Sequence, residues 1–489
     1  MLLTLAYVCG FLGGVAFKSV TEYSLHFGVF LTLLFFACCS RSRALFFLCF
    51  VLVGVLRTQA YEKGLETQLE SGFQTVEGVI VDELDKRDGY QNVSLLTDEG
   101  KVLAKVSLYK GLHFGDELTL QGDLELRTDL EEEDASYRNY LSRQGVVALM
   151  PEASVKSRIE GSRSFRKGLY AFKSFLEKRL QVLLPEPESS FAAGLLLGSR
   201  KGMSEELTLA FRTVGLLHIV AISGSNISLV IATVFMMLSF LPLRLRVFIS
   251  VGILAIFVLL VGATSTVIRA AVMGVLTLTG LYTGRRSMAL FGLLWSIVLL
   301  VFWNPYLFLF DVGFQLSVLS TFGLLAFVPV LQKKLHFLEY LPSWAASFKE
   351  AFLLTVAAQI TTLPLMLYCF GQTSWITPFV NVFVAPLIPL AMLTSFFAFF
   401  VSWFMAPAWV FLAGIEKVAL LGAQIPGASL SISLSLNGLF LAYFLELIFL
   451  LRFYKPILGR AFFRDPVPVL YKESILEFER HETPKEFPV

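Results

Sequence analysis

Hydrophobic runs fill most of this chain, and one stretch with a different period interrupts them. Between residues 72 and 150, FQTVEGVIVDEL, YQNVSLLT, KVLAKVSLYK and DELTLQGDLELR alternate apolar and polar positions. A period of two marks strands with one buried face. DGYQN, DEG and HFGD break these runs and supply turns. The pattern predicts four or five short strands, and at this size a small closed barrel of the OB type. From Phe165 to Leu183 the period becomes helical. Phe165, Leu169, Phe172, Leu176, Leu180 and Leu183 take the apolar positions, while Arg166, Lys167, Lys173, Lys178 and Arg179 take other faces. Such a basic amphipathic helix lies on a membrane surface, and Pro185 ends it.

Elsewhere the apolar runs approach the ~20 residues that a bilayer crossing needs. Near the N-terminus they are Leu2 to Phe17, Phe27 to Cys39 and Ala44 to Leu56. Beyond residue 223 they are 224–242, 247–263, 265–283, 287–303, 308–331, 350–369, 377–405, 408–425 and 436–452. Ala193 to Leu197 is too short to cross and reads as a partly inserted or re-entrant piece. Pro386 and Pro389 predict that 377–405 is broken into two half-helices. Basic pairs at Arg41/Arg43, Arg244/Arg246, Arg285/Arg286, Lys333/Lys334 and Arg452/Lys455 fall at alternate ends of these runs. By the positive-inside rule those ends are cytoplasmic, so both termini lie inside and the strand-rich insertion outside. The expected fold is a polytopic α-helical membrane protein of about 12 membrane segments with an inserted extracytoplasmic small β-barrel (OB-like) domain. The expected divisions are 1–57 membrane segments, 58–160 external barrel, 161–185 interfacial helix, 186–452 channel domain and 453–489 cytoplasmic tail.

Composition supports this class and adds a charge asymmetry. The chain is 56% hydrophobic, with mean hydropathy +0.70, far outside the soluble range. Residues 61–160 hold 11 Lys/Arg against 21 Asp/Glu, a net of −10 in a chain whose total is +2. OB barrels that bind single strands use a basic groove and exposed aromatics, so an acidic barrel opposes a polyanion over most of its surface. The five cysteines, Cys9, Cys38, Cys39, Cys49 and Cys369, sit in or beside apolar segments and read as small buried hydrophobes. His26, His113, His218, His336 and His481 are scattered, so no metal site and no cofactor is implied. SGS at 223–225 is not a nucleophile elbow, because no strand-turn-helix context surrounds it.

Polar residues inside the apolar runs carry the candidate chemistry, since polar groups at membrane depth must be paired or line a wet cavity. RTVGLLHIVAISGSNISLVI, residues 212–231, places His218, Ser223, Ser225, Asn226 and Ser228 among aliphatic residues, with Gly224 free to approach a neighbour. This segment is either a small-residue packing seam or the lining of a path. LHIVAISGSNISLV resembles the signature of the ComEC competence family, with His218, Ala221, Ile222, Ser223 and Gly224 matching and Asn226 standing where many members carry a second His. ASYRNYLSRQGVVAL (135–149), SSFAAGLLLGSRKGMSEELTLAFRTVGLLH (189–218), GATSTVIRAAVMG (262–274), WNPYLFLFDVGFQLSVLSTFGLL (303–325) and TLPLMLYCFGQTSWITPFVNVFVAPLIP (362–389) are similar to further blocks of that family.

The resemblance implies transport of single-stranded DNA across the cytoplasmic membrane of a bacterium during natural transformation, by a channel rather than an enzyme. It implies membrane lipids as surroundings and, as partners, a separate DNA receptor, a nuclease and a cytoplasmic motor or DNA-binding protein. The metallo-β-lactamase-like domain that many members carry is expected to be absent. The candidate path residues are His218, Ser223, Gly224, Ser225, Asn226, Arg269, Asp311, Gln315, Ser317 and Asn381. Arg269 sits a few residues inside a span and needs a partner. Asp311, at the outer end of another span, is one candidate, and a phosphate of a passing polyanion is the other. Two further readings stay open. A proton-coupled transporter or flippase for a lipid or small molecule needs Glu416 or Glu446 buried and paired, and a membrane scaffold needs no polar path.

Overall fold

A computed structural model describes residues 7–12, 15 and 43–454, except 88, 109–110, 132–133, 162–163, 200–201, 221–222, 284–288, 336–341 and 343–344. The run Phe27 to Cys39, most of Leu2 to Phe17, the charges at Arg41 and Arg285/Arg286, and nearly all of the expected tail lie outside the described residues. What is described is mostly helical, with one small sheet region. Helix α1, Arg43–Lys63, runs past the expected boundary at residue 57. RTQAYEK contains good helix formers and no breaker before Gly64, so the helix rises straight into the sheet region.

The strands follow the period-two runs: β1 Gly72–Ile80, β2 Asp85–Arg87, β3 Tyr90–Thr97, β4 Gly100–Ser107 and β5 Glu117–Leu126. Helix α2, Ala135–Gln144, then leads into β6, Val146–Ile159. Gly145 closes α2 in the left-handed conformation, at φ 73, where a side chain would be strained. β1 pairs antiparallel with β5 and, at its end, with β3. β3 pairs with β4, β4 runs parallel to β6, and β6 returns antiparallel to β5. Each of the five long strands therefore has a partner on both sides. Ile80, Val93, Leu95, Val102, Leu118 and Leu120 fill the space they enclose. Each such burial contributes roughly 1.5–3 kcal/mol. Position 122 also points inward but is glycine, because a Cβ there would lie 2.2 Å from the Glu152 carbonyl oxygen.

Helix α3, Phe165–Leu183, starts at a Ser164 cap whose hydroxyl accepts from the Lys167 N–H. It has two apolar faces. Leu169, Leu180 and Leu183 are buried against the bundle, while Phe165, Phe172, Phe175 and Val182 face outward. Lys173, read from the sequence as part of a solvated face, is only 3% exposed and pairs with Glu83 at 2.7 Å. The partner carboxylate lies in the loop after β1, beyond the reach of any local pattern. Nearly two turns earlier, Lys167 reaches Asp116 at 3.2 Å, and Arg158 of β6 meets the same carboxylate at 2.9 Å. Phe114 packs on Tyr170 with centroids 5.0 Å apart. The helix thus clamps the sheet to the bundle.

The remaining helices are α4 Glu188–Leu197, α5 Glu205–Thr213, α6 Leu217–Val220, α7 Gly224–Met237, α8 Leu243–Val261, α9 Ser265–Thr283, α10 Ala289–Trp303, α11 Tyr306–Phe310 and α12 Val312–Lys334. They continue with α13 Ala346–Phe370, α14 Thr377–Val384, α15 Leu387–Ala398, α16 Met405–Ala423 and α17 Leu436–Tyr454, and a two-stranded pair joins β7 Gln372–Ser374 to β8 Ser429–Ser431. Among the described residues five helices are long and apolar enough to cross a membrane, or six if α14 and α15, bent by 40°, form one broken span. This is fewer than the sequence runs suggested. Run 224–242 includes the turn residues Leu238–Pro242, and its apolar helix shortens to Gly224–Met237. The break within 377–405 falls just before Pro386, as the prolines predict. Every residue of α4 is buried.

Burial pushes the Asp116 carboxyl up, but Lys167, the His113 and Gly161 N–H groups and Arg158 together hold it below its ordinary value of 3.8. A depressed carboxylate stabilises the folded state above its unfolded-state value and loses that contribution as pH falls through the lower folded value. The connection between β6 and α3 should therefore resist limited proteolysis from neutral pH down to 3.8 and open only below it. In Asp116→Ala, which strands two cations, it should be cleaved already at pH 7, since breaking a buried pair costs about 3–5 kcal/mol.

Candidate functional site

The signature segment forms the first turn of α7. Ser223 caps the helix, its hydroxyl accepting from the Asn226 N–H and donating to Asn226 Oδ1 at 3.0 Å. The Ser223 and Ser225 hydroxyls lie 2.6 Å apart, and Ser228 bonds back to the Gly224 carbonyl at 3.0 Å. Asn226 is 2% exposed, and its Nδ2 has no partner among the described residues. Ala221 and Ile222 lie outside the described residues. His218 belongs to the short helix α6 and is exposed, with Nδ1 3.0 Å from the Gly215 carbonyl oxygen.

Gly224 turns the start of α7 toward α9. A Cβ on Gly224 would stand 3.6 Å from Arg269 Nη2 and 3.7 Å from the Ala270 Cβ. Arg269 is 4% exposed. Its Nε donates to Ser317 Oγ at 2.9 Å, Nη2 donates to the same oxygen, and Nη1 donates to Thr321 Oγ1 at 2.9 Å. Met273 Sδ lies 3.2 Å from Nη1. No carboxylate of a described residue pairs with this guanidinium. Its positive charge is hydrogen-bonded but not neutralised.

Asp311 has other work. It caps α12, accepting from the Phe314 N–H at 3.1 Å, and it accepts from the Ser265 hydroxyl at 2.8 Å. Its ion-pair partner is Arg143 of α2, at 3.0 Å. Tyr61 donates to the Ser142 carbonyl and Asn304 to the Arg143 carbonyl, so the end of α2 is fastened to α1 and to the α10–α11 turn as well. The Arg269–Asp311 pair considered from sequence is therefore replaced by two separate arrangements. An arginine at the end of α2, between β5 and β6, pairs with Asp311.

The structure brings Gly224, Arg269 and Ser317 together, with Asp311 at the start of α12, bonded to Ser265 at the start of α9. Ser223, Ser225 and Asn226 share the turn of Gly224, while Gln315 and Asn381 make separate contacts. Gln315 ties the α11–α12 bend by donating to the Phe308 and Leu309 carbonyls, and Asn381 donates to Thr355 between α13 and α14. Thr321 was missed in the sequence, although its place four residues after Ser317 puts both hydroxyls on one helix face. Glu416 is buried with Oε1 unpartnered, and Glu446 is half-buried. Neither shows the paired arrangement that a proton-coupled reading asks for.

At Gly224 a methyl group fits at ordinary contact distance, while a longer side chain must displace Arg269. Gly224→Ala should therefore keep near-normal function and abundance. Gly224→Leu should cost about 1–3 kcal/mol as an overpacked site and abolish function even where the protein still inserts. Membrane protein level beside a functional assay of the two variants checks this, and equal behaviour of Ala and Leu would contradict the contact.

A model of the competence protein family matches residues 195–456, more than half of the chain. ComE operon protein 3 of Bacillus subtilis (strain 168) is 26% identical over 294 residues, covering 56% of this chain and 36% of that protein. The chain thus matches about a third of that relative's length. No solved structure matches it. The matched region holds α7, α9 and α12, with Gly224, Arg269 and Ser317. This largely helical membrane protein belongs to the competence protein family.

Proposed function

We propose that the chain conducts single-stranded DNA across a bacterial cytoplasmic membrane during DNA uptake. One observation carries the reading beyond family membership: Arg269 is buried among apolar helices and bonded to hydroxyls and a thioether, with no carboxylate of a described residue beside it. An arginine at membrane depth costs about 2.5–3.5 kcal/mol on insertion scales, and a merely structural arginine is usually paired. A guanidinium poised on neutral groups suits a phosphate that comes and goes, because conduction requires binding weak enough to release. The signature turn of α7 borders this point through Gly224.

On this reading the sheet region is an external OB-type barrel, which the ring of five paired strands supports. Residues 165–183 lie at the outer membrane surface, supported by the outward row Phe165, Phe172, Phe175 and Val182. About 12 segments with both termini inside follow from the charge pattern of the full sequence. Capture, strand degradation and pulling belong to a separate receptor, nuclease and cytoplasmic motor.

Arg269→Gln tests the reading. Its loss removes a charge-assisted phosphate contact worth about 1.5–3 kcal/mol, so transformation should fall roughly ten- to hundredfold with membrane abundance near normal. Arg269→Lys should retain part of the uptake, keeping charge but losing the fork. Because Asp311 is not its partner, adding Asp311→Asn to Arg269→Gln should not restore uptake. Normal transformation by Arg269→Gln, or recovery in the double variant, would refute the channel role of this residue.

A further inference from the structure

The sheet region is fastened to the bundle at two places. One is Arg143 on Asp311, and the other is the pair of α3 bridges to Asp116 and Glu83. A cavity of about 200 Å³ lies where the sheet, α3 and the α8–α9 turn meet. Val81 and Asp82 wall it from the sheet side, Arg166 and Tyr170 from α3, and Leu259 and Ala263 from the end of α8 and the turn. The volume is smaller than the ~300 Å³ of the smallest ordinary small-molecule sites. It admits a sugar-phosphate link and has no room for a duplex.

The charges around it are unevenly spent. Asp82 is paired with Lys101 at 2.6 Å, Lys167 with Asp116, and Lys173 with Glu83. Arg166 makes no hydrogen bond or ion pair with any described residue. Tyr170 beside it is held by Phe114. The last wall residue, Ala263, lies just before α9, the helix that carries the buried arginine. Ala263 lies two residues before Ser265, which binds Asp311, and Arg269 follows one turn on, about 6 Å along the α9 axis at 1.5 Å per residue.

We propose that this cavity is the entrance subsite of the path and takes one phosphodiester of the incoming single strand, with Arg166 as its phosphate contact and Tyr170 as the wall against which the strand slides. The proposal rests on the reading of the chain as a DNA conductor and adds where the strand comes in. A lipid headgroup offers the same phosphate chemistry. The strand is favoured because the sheet roofs the cavity through Val81 and Asp82, and because its floor is the turn that leads into α9.

The test uses the full chain in nanodiscs of zwitterionic lipid, a fluorescent single-stranded oligonucleotide and a range of salt concentrations. Each phosphate contact on a single strand adds about 0.7 to the slope of log affinity against log salt. Arg166→Gln should lower that slope by about 0.7 and weaken binding several-fold. Ala263→Trp, which fills the cavity, should lower transformation about tenfold at normal abundance. An unchanged slope in Arg166→Gln together with normal uptake in Ala263→Trp overturns the proposal. So does an Arg166→Gln effect that appears only when the discs contain anionic lipid, which would make Arg166 a headgroup contact. If Arg269→Gln impairs uptake while both cavity variants behave as wild type, the entrance alone is wrong. If wild type binds no oligonucleotide and Arg269→Gln transforms normally, the DNA reading falls with it.

Discussion

A guanidinium inside an apolar bundle constrains everything around it. Arg269 cannot shed its proton to escape the cost of burial, so neighbouring elements must bring it oxygen atoms. Ser317 and Thr321 do so from α12, and their spacing of four requires that one face of that helix stay turned toward α9. The first turn of α7 comes close enough that a side chain longer than a methyl group at residue 224 would meet Arg269. At their first turns, Asp311 holds the start of α12 to Ser265 at the start of α9. The same two helices are thus pinned at two levels. At the deeper level the charge is solvated by dipoles and left without a counter-ion.

The outer level links this pair to the sheet. Arg143 lies at the end of α2, in the connection between β5 and β6, and its ion pair with Asp311 makes the sheet part of the helix arrangement. On the far side, Lys167 and Lys173 meet Asp116 and Glu83. These bridges are partly or wholly buried, so removing one partner costs far more than the pair contributes. Their value is in position: two separated ionic anchors fix an orientation that a single apolar patch would leave free to turn.

Local patterns in the sequence revealed elements but not their neighbours. Period two located β1, β3, β4 and β5 to within a few residues, and helical spacing located α3 with its ends. The three-residue β2 left no pattern long enough to see. The second face of α3 was hidden because basic residues at its edge mask a helix that is apolar on two sides. Arg269 stood out as a costly residue and Asp311 as its possible partner, but their actual partners are 48 and 168 positions away, at Ser317 and Arg143. Distances of that kind are set by tertiary packing. The run 224–242 was read too long for a related reason: a hydropathy run does not mark where the turn Leu238–Pro242 ends the helix.

An acidic domain beside the proposed path for a polyanion looks self-defeating until range is considered. At physiological salt the field of exposed carboxylates fades over about 8 Å, so the −10 of residues 61–160 acts mainly where a strand would touch the sheet surface. Repulsion there discourages a strand from lying along the sheet, and cations at the junction with α3 are already spent on Asp116 and Glu83. The positive charges without carboxylate partners along the proposed route, Arg166 and Arg269, are few and lie at different depths. A continuous basic lining would hold successive phosphates together and stop transit. Isolated arginines among hydroxyls and apolar walls hold one phosphate at a time, which permits a charged polymer to move.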